Sequence, residues 1–127
     1  MPESANLLVA LVLLPLEYNR DVSGHRRPIE EQQYLATMAE IARRFGGGVL
    51  WRWPEDLKPR GFWWHRGILH DDHLVVIEVD IPDQPAAKAW LTRYARRILI
   101  PRFQQDAIYI RMVGPIHVSL VTVGRSR

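Results

Sequence analysis

The sequence predicts a single α+β domain. Three observations predict it. Several apolar runs have strand length and are either continuous or alternate with period two. Two longer stretches repeat their apolar residues every three or four positions, as an amphipathic helix does. These pieces follow one another as strand, helix, strand, strand pair, helix, strand, strand, with turn-forming residues between them and no internal repeat.

LLVALVLLPLEY, Leu7 to Tyr18, is continuously apolar before turning polar, which suits a central strand. Asn19 to Arg27 is rich in turn formers and reads as a loop. Pro28 to Gly48 carries the strongest helix signal. Pro28 suits a first helical position, Glu30 and Glu31 a first turn, and Arg43 and Arg44 a last turn. Leu35, Met38, Ala42 and Phe45 form its predicted apolar stripe, and Gly46 its stop. In Val49 to Trp53 the apolar Val49, Trp51 and Trp53 share one face. Pro54 to Gly61 reads as a loop, Phe62 to Leu69 as a strand and His70 to His73 as a tight turn. Leu74 to Pro82 alternates cleanly, with Val75, Ile77, Val79 and Ile81 on one side and Glu78 and Asp80 on the other.

A second helix is expected from Asp83 as N-cap, with Pro85 in its first turn and Ala87, Trp90, Leu91, Tyr94 and Ile98 as its stripe. Pro101 should end or kink it near Ile100. Ala107 to Val113 and Ile116 to Val123 read as two strands separated by Gly114–Pro115, ahead of a short basic tail ending at Arg127. The order matches a ferredoxin-like, split βαβ sandwich: an antiparallel sheet with two helices on one face, an extra hairpin strand and a C-terminal strand. Trp51 and Trp53 alternate with Arg52, and Tyr109 and Val113 with inward Ile108, Ile110 and Met112. Apolar area therefore falls on both sheet faces. Bare apolar faces are uncommon on monomers, so a homo-oligomer formed through the sheet or its edge is expected.

Composition narrows the function classes. There is no cysteine, which removes disulfides, thiolate metal sites and cysteine nucleophiles. The longest apolar run, Leu7 to Leu14, is far short of the roughly 20 residues that cross a bilayer. The residues before it carry Glu3 and no Lys or Arg, unlike a signal peptide, so no membrane partner and a cytoplasmic location are expected. A formal charge of +3 permits contact with nucleic acid without requiring it.

Four constellations compete for a site. Trp51, Trp53, Trp63 and His65 are the candidate ligand-binding residues, where aromatic walls and one titratable group converge. Arg93, Arg96, Arg97 and Arg102 are the candidate nucleic-acid-binding residues, backed by Arg43, Arg44 and tryptophans able to stack bases. Glu17 and Asp21 lie just after the first strand and Glu78 and Asp80 on one face of the third, strands expected to be neighbours, where paired acids hold Mg²⁺ in small nucleases; acids at strand ends are also simply where a sheet meets water. His65, His70, His73, Asp71 and Asp72 are dense but lack metal-ligand spacing, and the His–hydrophobic–His of a nicking nuclease is missing, so a solvated hairpin end is the expected reading. The glycines of Phe45 to Gly48 follow a helix C-terminus, where the dipole repels anions, and read as a helix stop rather than a phosphate cradle.

The segments Phe45–Gly47, Gly61–Trp63, Val75–Asp80, Arg102-Phe103-x-Gln105 and Ile108–Ile110 together resemble a group of small bacterial proteins with a Phe-Gly-Gly, Gly-aromatic-Trp, Arg-Phe-x-Gln pattern. The resemblance spans Leu7 to Val113 and implies a compact α+β fold without an assigned reaction. The expectation is thus a non-catalytic, oligomeric module for a small molecule or a protein partner, with no cofactor. The alternative is a nucleic-acid-binding protein, a metal-dependent nuclease being its catalytic variant.

Overall fold

The computed structural model describes residues 6–124; the side chains of Glu55, His65 and His70, and the basic tail after Gly124, lie outside that description. The fold is α+β, with two main helices and an antiparallel, curled sheet. The strands are β1 (Leu7–Pro15), β2 (Val49–Trp51), β3 (Arg60–His65), β4 (Ile68–Pro82) and β5 (Tyr109–Ile116). The helices are α1 (Glu31–Phe45) and α2 (Pro85–Tyr94), the latter continued by a π turn, Ala95–Leu99, and a short α3, Ile100–Phe103.

The strand order is β2-β4-β1-β5, and every pairing is antiparallel. β1 and β2 therefore run the same way with β4 between them, and β4 and β5 run the same way with β1 between them. α1 connects the first of these pairs and α2 to α3 the second. β4 is long enough to serve three partners: its first half forms a hairpin with β3, its second half pairs with β2 and β1.

The inner sheet face carries Leu8, Ala10, Val12 and Leu14 of β1 opposite Ile81, Val79, Ile77 and Val75 of β4. All eight are buried in one cluster with Tyr34 and Ile41 of α1 and with Ala87, Leu91, Leu99 and Phe103 of the second helical stretch. Burying these branched side chains at roughly 1.5–3 kcal/mol each is the main force holding the two layers together.

Several expectations are corrected. His70 to His73 is not a turn; it lies within β4, paired with Arg60 to Trp63. The hairpin turns instead at Arg66–Gly67, whose positive φ values of 52° and 78° suit the two-residue turn that matches strand twist. Arginine in the first of these positions masked the signal, which is usually carried by Asn or Asp. α1 begins three residues after Pro28, at Glu31, and Pro28 bridges back to Glu17. Gly46 does stop it, at φ 94° with its N–H on the Ala42 carbonyl. Its buried face is Tyr34, Thr37 and Ile41, with Met38 and Phe45 at the margin, while Leu35 is exposed. The polar members hid this face from a hydrophobic count. They are buried because they are satisfied: Tyr34 Oη donates to the Pro15 carbonyl at 2.5 Å, and Thr37 Oγ1 to the Gln33 carbonyl at 2.8 Å.

The second helix starts at Pro85, with Gln84 rather than Asp83 as N-cap. Pro101 does not end it. The π turn just before it, closed by an Ile100 N–H to Ala95 carbonyl bond, absorbs the irregularity, and helix continues to Phe103. Finally, Gly114–Pro115 does not break β5, and Ile116 to Val123 is not a further strand of this sheet: β5 ends at Ile116 and residues 117–124 have no regular secondary structure.

Candidate functional site

The helices cover only one face of the sheet, so the other face is the largest candidate site. Its residues follow from the pairing register, because directly opposed residues share a face. Three rows cross it. Val49, Glu78, Leu11 and Arg111 form one; Trp51, Val76, Leu13 and Tyr109 form the next; Asp80, Val9 and Val113 lie beyond. Apolar residues of β1 and β4 make the floor, two acids flank it on β4, and Tyr109, Arg111 and Val113 flank it on β5. Val49, Trp51, Tyr109 and Val113 each keep 45–47% of their surface exposed, a high share for apolar side chains in one patch.

The curl of the sheet brings the β3–β4 hairpin over this face. Trp63 of β3 reaches across to Tyr109 of β5, with ring centroids 5.9 Å apart, and its indole N–H donates to Asp72 at 3.0 Å. Asp72 also accepts from Arg26 at 3.1 Å, which ties the hairpin to the loop after β1. Trp51 Nε1 donates to Glu78 at 3.1 Å, and Trp53 stacks on Trp51 at 6.2 Å. Asp80 is partly desolvated and faces Glu78, and both effects push its carboxyl up from the ordinary range.

The structure thus puts Trp51 and Trp63 on one face and Trp53 against Trp51. His65 lies in β3, its side chain outside the described residues. Beside Trp53 a cleft of about 140 Å³ is lined by Leu16, Arg52, Lys58, Leu74 and Val75. That is smaller than the roughly 300–1,000 Å³ of usual small-molecule sites. The floor residues Val9, Leu11, Leu13 and Val76 escaped sequence reasoning. β1 is apolar on both faces, so period two does not show in it.

The four arginines separate. Arg93, Arg96 and Arg97 are exposed on the helix surface. Arg102 is half-buried and bidentate to Glu40, with Nη1 and Nη2 each 2.9 Å from a carboxylate oxygen, and Nη1 2.9 Å from Thr37 Oγ1. Tyr94 Oη donates to the same carboxylate at 2.5 Å. The Arg102 hydrogen bonds hold the Glu40 carboxyl below its usual range, while burial pushes the Tyr94 phenol up. This network locks the second helical stretch to α1. Next to it Trp90 stacks on Tyr94 at 4.9 Å, and an open cleft of about 240 Å³ is lined by Trp90, Arg93, Tyr94, Arg97 and Ile98.

The acids do not converge. Glu17 sits 3.9 Å from Arg26, Asp21 is held by Ser23 and His25 within its own loop, and only Glu78 and Asp80 are neighbours. Among the described residues no three His, Asp or Glu side chains gather in a way that suits a metal ion, and no helix is long and apolar enough to cross a membrane. No protein-family model matches the chain, and its sequence matches no curated protein.

Proposed function

We propose that this chain is a non-catalytic interaction module that acts as an oligomer formed through its sheet or the sheet's edge, binding a protein partner or a small ligand at the free face. The observation that carries the reading is the exposed apolar patch of Val49, Trp51, Tyr109 and Val113 around a floor of Val9, Leu11 and Leu13. Trp51 and Trp63, with Trp53 behind, supply the rigid aromatic anchors that binding surfaces favour. The fold belongs, in this reading, to the ferredoxin-like plan; two parallel strand pairs, each split by an antiparallel strand and joined by a helix, support it. Light scattering on a size-exclusion column tests the function. A mass of two or more chains with a protein-like 260/280 nm ratio is expected; a monomer at every concentration refutes it.

A second reading is nucleic-acid binding at the Trp90–Arg93–Arg97 cleft, where an aromatic stack lies among exposed guanidinium groups. It predicts salt-sensitive binding of single-stranded RNA or DNA, abolished by combined Arg96→Ala and Arg97→Ala. A raised 260 nm signal removed by high salt would move this reading ahead of the first.

A further inference from the structure

We propose that His117 to Val123 is a donated arm: in the assembled protein it pairs as a β-strand with the open edge of β5 in a second copy of this chain. The inference rests on the oligomeric reading above and names its partner and contact. Three observations lead to it. The segment IHVSLVTV is strand-like in composition, rich in β-branched residues and without Gly or Pro. Yet the fold pairs only its first residue, Ile116, with Leu7. Leu120, Val121 and Val123 are 81%, 89% and 96% exposed, and among the described residues no backbone hydrogen bond joins 117–124 to the body. Four apolar side chains on this unpaired segment, Val118, Leu120, Val121 and Val123, are costly in water and are satisfied by pairing.

The acceptor is equally specific. β5 ends the strand order and, among the described residues, pairs with β1 alone, so its outward-pointing backbone groups from Tyr109 to Val113 lack a strand partner, ahead of the irregularity at Gly114–Pro115 where the proline brings no N–H. Long edges of this kind are templates for strand addition, which natural proteins usually blunt or cover. The arm continues directly from β5. An antiparallel, two-fold arrangement therefore lets each arm lie along the partner's β5 while its own β5 receives the partner's arm, so both edges close at once. The alternating arm then adds apolar side chains beside Tyr109 and Val113 on one face and beside Met112 on the other. A second copy is favoured over an unrelated partner because donor and acceptor are on the same chain and the exchange is self-complementary.

Two measurements on the full chain test this. Amide hydrogen exchange is expected to show 117–123 protected at concentrations where light scattering reports twice the chain mass, and protection falling as the protein is diluted to monomer. Combined Val121→Asp and Val123→Asp, at positions too exposed to matter to the monomer core, should yield a folded monomer. A dimer whose arm exchanges at random-coil rates, or which survives both substitutions, overturns the arm and leaves the oligomeric reading standing. A monomer at all concentrations overturns both. A protected arm in a strictly monomeric chain means that it folds back on its own β5, and also refutes the exchange.

Discussion

At the scale of single residues, the half-buried group around Glu40 couples stability to pH. Arg102 makes two hydrogen bonds to Glu40 and one to Thr37, and Tyr94 adds another to the carboxylate. Because the folded state holds Glu40 below its ordinary value of 4.5, this carboxylate stabilises the fold above that pH, and the contribution is lost as pH falls through the lowered folded value. Glu40→Gln should therefore flatten the acid limb of the denaturation midpoint against pH. Arg102→Ala should cost about 1–2 kcal/mol at neutral pH in urea unfolding, solvent screening keeping the loss below that of a fully buried pair. An unchanged acid limb in Glu40→Gln would show that the network does not govern it. The same geometry explains why Arg102 looks like part of a basic surface in sequence while serving as a packing residue in the fold.

At the scale of elements, the π turn decides which side chains of the second helical stretch are buried. A regular helix continuing from Ala87, Leu91 and Tyr94 brings Ile98 to the core. The widened turn at Ala95–Leu99 carries one extra residue, so the buried positions become Ala95, Leu99 and Phe103. Leu99 is fully buried, whereas Ile98 is 38% exposed. Leu99→Ala should then cost about 2–5 kcal/mol by loss of burial and an unfilled cavity, and Ile98→Ala less than about 1 kcal/mol. Equal costs in thermal or urea melts would mean that the regular helical phase persists in solution. The hairpin follows the same logic. Phe62 to Leu69 reads in sequence as one strand, but the hairpin between β3 and β4 turns inside it at Arg66–Gly67, where backbone conformation and not residue preference shows it.

At the scale of the whole molecule, the two faces of the sheet divide the labour. The inner face is filled by both helices; the outer face retains an apolar centre with acids on β4 and Arg111 on β5. Substitution on each face should therefore report different things. Val113→Lys, at a half-exposed outer position, should change the unfolding free energy of the isolated chain by less than about 1 kcal/mol, yet displace the monomer–oligomer equilibrium toward monomer in sedimentation or light scattering. Retained association in that variant would shift attention from the face to the sheet edge. The acids on β4 also bear on assembly. Asp80 faces Glu78, so packing a second apolar surface there would desolvate a pair of like charges, while a partner bringing a cation would relieve them.

The sequence by itself determined the α+β class, the placement of the two helices between strands, the helix stop at Gly46 and the inward faces of β4 and β5. Each of these follows from local periodicity or from a single residue's backbone preference. Only the tertiary structure decided the rest. Whether Thr37 and Tyr34 are buried depends on partners far along the chain; where the helical stripe goes depends on the π turn; and the meeting of Trp63 with Tyr109 depends on the curl of the sheet. The fate of Ile116–Val123 shows the same division. Its composition calls for a strand, but a strand forms only against an edge, and pairing is a property of the assembled sheet rather than of the segment.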